Sequence, residues 1–329
     1  MILAGDIGGT RTRLGLVEIS GGPPVLRWKQ TLLNADYPSM ELLLAGCDGL
    51  RGAPIRAACF GVAGPVEDGV CRLTNLDWIL DARTLAGVLG TPRTSLINDL
   101  AAIALGVLCL PDNGFAVLQQ GTRPWAAGSM AVVAPGTGLG EAGLLFDGGR
   151  HHVVPSEAGH ADFAAATETE VALRWFLAAR HGHVSSEHVI SGLGLTNIAR
   201  FLAETGVHAL PPALADVPPV RWPAMIAELG LNGGDPLAVE ALDLFAAALA
   251  RECGNAALRY LATGGVCIAG GVAGALLPLL RRPEFIAALN AKGRMQALLE
   301  TVPVRVSTDP DVGLLGAARW AGGHLDPTP

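Results

Sequence analysis

Lysine is almost absent from this chain of 329 residues: only Lys29 and Lys292 occur, and arginine carries the rest of the positive charge. Charged residues amount to 16% and the formal net charge is −7, with no basic stripe, which excludes a nucleic-acid surface from the expectations. A zinc-binding or disulfide framework is missing too. Cys47, Cys59, Cys71, Cys109, Cys253 and Cys267 are scattered without a C-x-x-C pair, and read as reduced, mostly buried thiols of a cytoplasmic protein. The first residues lack a basic region followed by an apolar run, and Asp6 interrupts them early, so no signal peptide is expected. The phosphate loop G-x-x-x-x-G-K does not occur, and no lysine lies near the glycine turns described below.

What is present is apolar. Half the residues are hydrophobic and the mean hydropathy is +0.40, which argues for a sizeable core and against disorder. The length suits one large domain or two lobes. The stretch Tyr260–Leu280 has no charge and is flanked by Arg259 and Arg281, a length that would suit a membrane span. Gly264, Gly265, Gly270, Gly271, Gly274 and Pro278 break it into strand, turn and short helix, so no membrane partner is expected.

The chain is organised around Ile2-Leu3-Ala4-Gly5-Asp6-Ile7-Gly8-Gly9-Thr10, an apolar run, an acid, a glycine pair and a hydroxyl, followed by a second apolar segment. Its pattern predicts strand, tight turn, strand, with backbone N–H groups free to face an anion and Asp6 placed to hold a cation. The plain alternative is a glycine hairpin beside a solvated Asp. The plan recurs at residues 129–146, where Pro135-Gly136-Thr137-Gly138-Leu139-Gly140 separates two apolar runs, an internal duplication. Two such turns could clamp one phosphate chain through backbone N–H groups, Thr hydroxyls and a metal.

Between them, residues 1–33 read as three strands with a turn at Gly21–Pro24, and Pro38 and Ser39 open a helix to about Leu50. Ile55–Val62 reads as a buried strand, and Val70–Thr74 as a returning one. Asp81 caps a helix to about Leu89, and Thr94–Ile97 is a short strand ending in Asn98-Asp99, from which a helix runs to Leu108. Beyond the second turn a helix is predicted from about Thr167 to Ala179, an irregular excursion over 206–224, and a long helix from about Pro236 to Ala262. A strand over 266–269 ends in Gly270-Gly271, a helix covers 312–320, and the tail from Gly322 is loose. The pattern is α/β with two lobes, residues 1–109 plus about 308–329 forming the smaller and 110–307 the larger.

Strand ends that spill polar residues into a helix start are where open α/β sheets place ligands, although one of Asn98 and Asp99 could merely cap the helix. Phosphoryl transfer from a nucleotide to an alcohol needs a neutralised phosphate chain, a held acceptor and a base. Asp6, Gly8, Gly9, Thr10, Gly136, Thr137 and Gly138 suit the first need. Asn98, Glu157, His160 and Glu187 are types that hold polyols, and Asp99 is the candidate base. Alternatively Glu157 and His160 form a salt-bridged turn, Glu187 caps a helix, and Gly270-Gly271 is a plain turn rather than a seat for adenine.

With these residues assembled, the chain resembles the bacterial glucokinase family, ATP-dependent hexose kinases of the actin-like ATPase (ribonuclease H-like) fold. The matching pieces are Gly5–Thr10, Leu96–Asp99, Gly136–Gly140, Glu157–His160, His183–Ser185 through Ser191-Gly192, and Ile268–Val272. The resemblance implies a cleft between a small and a large domain that closes on sugar. It implies glucose held by Asn98, Asp99, Glu157, His160 and Glu187, with Asp99 as base for the 6-hydroxyl. It implies Mg²⁺-ATP between the glycine turns with Asp6 toward the metal, Gly270 and Gly271 near the adenosine, and a homodimer. Arg11 and Glu141 depart from the family pattern beside the two turns. The cysteine cluster that binds zinc in the related repressor–kinase group is missing, so His160 is expected to bind sugar without zinc. Rival readings are a kinase for another hexose or amino sugar, and a non-catalytic actin-like protein, either a filament former or a regulator. A regulator would carry a DNA-binding extension, and the chain starts directly at its first strand.

Overall fold

The structure, a computed structural model, describes residues 1–20, 22–73 and 76–323. Gly21 of the expected second turn, Thr74 at the end of the returning strand, and the tail from 324 lie outside the described residues. The chain forms two compact units. One comprises residues 1–114, 153–155 and the chain from Asp309 onward, the other residues 115–152 and 156–308.

The first unit contains β1 (Ile2–Ile7), β2 (Arg11–Glu18), β3 (Val25–Leu33), β4 (Ala57–Val62), β5 (Val70–Arg72), β6 (Ile79–Asp81) and β7 (Thr94–Asn98). Its main sheet has the order β3-β2-β1-β4-β7. β1 and β2 form the hairpin that the first glycine turn predicts, with Asp6 opposite Arg13. β1, β4 and β7 run parallel, pairing Ile7 with Val62 and Val62 with Asn98. The first glycine turn and Asn98-Asp99 therefore lie at the same carboxyl edge of one sheet, where such sheets hold ligands. Leu3, Ile7, Phe60 and Val62 pack with Met40, Leu43 and Leu85. The helices Asp99–Val107 and Val312–Gly323 lie against β4 and β1 and cross each other closely. A Cβ on Gly316 would stand 1.7 Å from the carbonyl oxygen of Ala102, and one on Gly106 would stand 1.8 Å from that of Val312. Only hydrogen fits at either place.

Asp81 caps its helix as expected, accepting from the Arg83 N–H at 2.7 Å, and the helix spans Ala82–Leu89. The helix opened by Ser39 is shorter than expected and ends at Ala45, because Gly46 weakens the helix and Cys47 turns extended to bury its thiol. β6 was not foreseen. It pairs antiparallel with β5, Val70 facing Asp81, so Asp81 ends a strand and caps a helix at once.

The sheet of the second unit contains β8 (Phe115–Gln119), β9 (Met130–Pro135), β10 (Leu139–Phe146), β11 (His151–Ser156, of which residues 153–155 group with the first unit), β12 (Gly265–Ile268) and β13 (Val304–Ser307), in the order β11-β10-β9-β12-β13-β8. The duplication seen in the two glycine turns extends to this order: a three-strand meander followed by two parallel strands occurs in both sheets, with β8 added at the far edge of the second. Its core gathers on the long helix Pro236–Arg259, where Leu237, Leu242, Phe245 and Leu249 are buried with Val133, Val266 and Ile268. Asp235 caps that helix, accepting from the Ala238 N–H at 3.0 Å. The excursion over 206–224 holds the helical turn Pro212–Ala215 and the 3₁₀ turn Pro219–Arg221 before Trp222 opens the helix Trp222–Leu231. Residues 260–280 divide into β12 and the short helices Gly271–Ala275 and Leu277–Leu280. Among the described residues no helix is long and apolar enough to cross a membrane.

Candidate active site

In the first unit the turn after β1 is braced from below. The Gly8 N–H donates to the Arg11 carbonyl at 3.0 Å, and the buried Asn34 donates through Nδ2 to the Gly8 carbonyl at 2.8 Å and through its backbone N–H to that of Thr10 at 3.0 Å. Thr12 Oγ1 donates to Asn34 Oδ1 at 2.8 Å and fixes the amide. Gly8 and Gly9 are half-buried and Thr10 is exposed. Asp6 Oδ2 accepts from Arg13 Nη2 at 2.6 Å, and Arg13 Nη1 donates to the Pro310 carbonyl at 2.8 Å. The cation nearest the expected metal ligand is thus a side chain of the same hairpin. Among the described residues no three His, Cys, Asp or Glu stand together as a metal cage. One carboxylate at a strand end is the donor set that suits Mg²⁺ carried in by phosphate oxygens.

At the end of β7, Asn98 is the helix cap. Its Oδ1 accepts from the N–H groups of Leu100 at 2.9 Å and Ala101 at 3.2 Å, and Nδ2 points to the Gly64 carbonyl at 3.5 Å. The capping alternative is therefore realised by Asn98 through its Oδ1, while the amide NH2 keeps a donor beyond the one aimed at Gly64. Asp99 is the first residue of the helix, with Oδ1 accepting from the Leu100 N–H at 2.8 Å.

In the second unit the turn after β9 is joined to the acidic and imidazole candidates. The Gly136 N–H donates to the Gly138 carbonyl at 2.7 Å, and the Gly136 carbonyl accepts from the Gly192 N–H at 2.9 Å. Thr137 is exposed at the tip. Glu187 Oε2 accepts from the Leu139 N–H at 2.8 Å, and a Cβ on Gly138 would stand 2.3 Å from that oxygen. Glycine at 138 is what lets the carboxylate dock on the turn. The other oxygen, Oε1, lies 4.0 Å from His160 Nδ1. His160 ends the 3₁₀ turn Ala158–His160, which the Ser156 hydroxyl supports by accepting from the Ala158 N–H at 2.8 Å. Glu157 is exposed at the head of that turn. The acid beside His160 is thus Glu187 rather than Glu157. Nor is Glu187 a helix cap, since Ser191 fills that place by accepting from the Gly194 N–H at 2.9 Å. β12 lies beside β9, so Gly270, at φ 91°, and Gly271 sit at the same carboxyl edge as the turn.

Glu141 does not face the turn. It is fully buried, with Oε2 accepting from Arg259 Nη1 at 2.8 Å, and Arg259 also pairs with the buried Glu252. Burial first, and Glu252 second, push the Glu141 carboxyl up to about 8 against the pull of Arg259.

Three supporting residues escaped the sequence reading. Arg13 was recoverable, because a hairpin turning at Gly8-Gly9 puts it opposite Asp6. Asn34 and His188 were not, because each acts on backbone groups of a turn, Asn34 on the Gly8 carbonyl and His188 on the Ser185 N–H, in contacts that no motif displays.

The glucokinase family model matches residues 3–324. The chain is 38% identical to a glucokinase of Trichormus variabilis over 98% of both chains, and 37% identical to one of Synechocystis over 96% of both. In structure it is similar to a glucokinase from an Antarctic psychrotroph, with a TM-score of 0.85 and 30% identity over 99% of both chains. A ROK family glucokinase from Streptomyces griseus, in complex with glucose and AMPPNP, shares the fold at a TM-score of 0.65 and 21% identity, covering 98% of this chain and 99% of that one.

Proposed function

The chain belongs to the glucokinase family, and from that premise we propose how its residues divide the work. It has the two-domain actin-like ATPase fold and is an ATP-dependent hexose kinase, moving the γ-phosphoryl group of ATP to the 6-hydroxyl of glucose. The observation that carries the assignment of roles is the docking of Glu187 on the second glycine turn, with His160 beside it. A group that grips hydroxyls is thereby fixed to a segment suited to phosphate.

In this proposal Asp99 takes the proton of the 6-hydroxyl, a positioned base being worth roughly 10²–10⁴ in rate. Glu157, His160 and Glu187 hold the sugar hydroxyls, and Asn98 joins them through its amide while capping the helix that carries Asp99. Backbone N–H groups of Gly8, Gly9, Gly136 and Gly138, with the hydroxyls of Thr10 and Thr137, hold the phosphates, and Gly270 and Gly271 lie by the adenosine. Asp6 would hold Mg²⁺, which when bound supplies positive charge to the phosphate chain. A homodimer and a cytoplasmic location complete the proposal, the latter supported by six unbridged, buried cysteines.

ADP release by the purified protein with Mg²⁺-ATP, measured across a panel of hexoses and a no-sugar control, tests it. Release is expected to rise with glucose. A rise with a different hexose alone, or a rate indifferent to every sugar, overturns it.

A further inference from the structure

His188 lies next to Glu187 in sequence, and nothing in the reaction uses it. Its ring is held in one tautomer. The Ser185 N–H points at His188 Nδ1 at 3.1 Å, and the Ser185 hydroxyl lies 2.9 Å from the same nitrogen. A backbone N–H can only donate, so Nδ1 must be the acceptor and the ring proton must sit on Nε2. The same residue closes the turn from its other side, its N–H donating to the Ser185 carbonyl at 3.1 Å. Its carbonyl accepts from Asn197 Nδ2 at 3.0 Å, on the helix Gly192–Glu204. The turn Ser186–His188 is thereby closed by a neutral imidazole, and Glu187 is its middle residue.

We propose that neutral His188 is a positioning residue for the sugar site, fixing the turn that presents the Glu187 carboxylate to the Leu139 N–H and to His160; the role rests on Glu187 being a sugar ligand. An imidazolium would aim an Nδ1–H at the Ser185 N–H, exchanging an attraction for a repulsion. Its surroundings oppose that change. The His181 ring, from the helix Glu168–His181, stacks on it at 4.8 Å. His183, paired with Asp162 at 2.9 Å, and His160 also disfavour the cation, and Glu187 opposes them by favouring it. Burial first, and His181 next, keep the ring neutral to a lower pH than an ordinary histidine. As the pH falls through that value, the turn loses its closing bond and the hold on sugar weakens while nucleotide binding stays.

The test compares wild type with His188→Asn, His188→Leu and Glu187→Gln, reading KM for glucose, KM for ATP and Tm from pH 7.5 downward, the range in which a histidine near its ordinary value titrates. Asn keeps an acceptor close to the place of Nδ1 and does not titrate; Leu has none. Loss of one hydrogen bond corresponds to about a fivefold rise, so His188→Leu is expected to raise the glucose KM at least that much at pH 7.5 with the ATP KM unchanged. His188→Asn is expected to restore most of the glucose KM and to show a smaller rise at low pH than wild type. The proposal falls if His188→Asn follows the wild-type pH profile, or if His188→Leu raises both KM values together with a fall in Tm. Should Glu187→Gln raise the glucose KM while His188→Leu does not, the positioning role alone is wrong. Should Glu187→Gln leave the glucose KM unchanged, the sugar-ligand role fails and takes this one with it. If His188→Leu does not fold, the His188→Asn profile still decides.

Discussion

At the scale of single residues, the division of labour between Asn98 and Asp99 is open to a direct check. Asn98 is tied to the Leu100 and Ala101 N–H groups as a cap, and Asp99, the first residue of the helix, accepts from the Leu100 N–H as well. Asp99→Asn preserves shape and removes the basic oxygen, and turnover is expected to fall by roughly 10²–10⁴ with ATP binding nearly intact. Steady-state kinetics together with nucleotide titration would show it, and an unchanged turnover would take the base role from Asp99. The residue types themselves were legible: a carboxylate and an amide at a strand end, and glycine pairs after apolar runs, are marked by local spacing. What spacing could not show is who meets whom across the chain. Glu141 stood in the sequence as an acid beside the second glycine turn, with nothing to show which way it faces. Its partner Arg259 is 118 positions away, and only the packing of β10 on the long helix reveals that the charge is turned inward.

Helices and strands were read best where a polar side chain closes an end. Asp81, Asp235 and Thr167 each accept from an N–H two or three positions on, and those helix starts fall where the sequence put them. β6, three residues long, carries too little pattern to be seen, and it exists because β5 needs a partner. Element packing also sets a pair of opposite outcomes for one substitution. Gly316→Ala would drive a methyl into the Ala102 carbonyl of the crossing helix, and overpacking of this kind costs about 1–3 kcal/mol. Gly87→Ala, on a helix where an added Cβ meets nothing within 4 Å, is expected to stabilise by about 0.5–1 kcal/mol. Urea unfolding of both variants reads the signs. A Gly316→Ala protein as stable as wild type would mean that the two helices do not cross on this glycine.

For the molecule as a whole, the buried carboxyls of Glu141 and Glu252, which share the more exposed Arg259, link stability to pH. Two carboxyls share one guanidinium, and when both are ionised Glu141 Oε1 has no hydrogen-bond donor. Burial first, and the charge of Glu252 second, raise the Glu141 carboxyl from 4.5 to about 8, and a proton there removes one of the two buried charges. The unfolded chain binds that proton only below about 4.5, so folding takes up a proton between the two values. The favourable contribution is complete below the unfolded value and is lost as pH climbs through the folded one. Stability should therefore decline from about pH 5 to about pH 8 and level off, and Glu141→Gln, which carries no charge, should flatten that slope. Chemical denaturation at several pH values checks it, and parallel slopes for the two proteins would remove Glu141 as the cause. At this scale the duplicated strand–turn–strand plan was visible in sequence because glycine turns repeat as strings. The full correspondence of strand orders was not, because it is written in pairings between distant segments.

The helix Val312–Gly323 lies against β1 and crosses the helix Asp99–Val107, yet it is made long after both. Once the helix Asp99–Val107 has been made, β1, β2 and β4 still have part of one face bare while some two hundred further residues are added. At roughly 5–20 residues per second that interval lasts on the order of ten to forty seconds. An apolar sheet face left uncovered through this wait is open to association with other chains until the helix arrives. A chain stalled shortly before Val312 would leave the first unit as its least finished part.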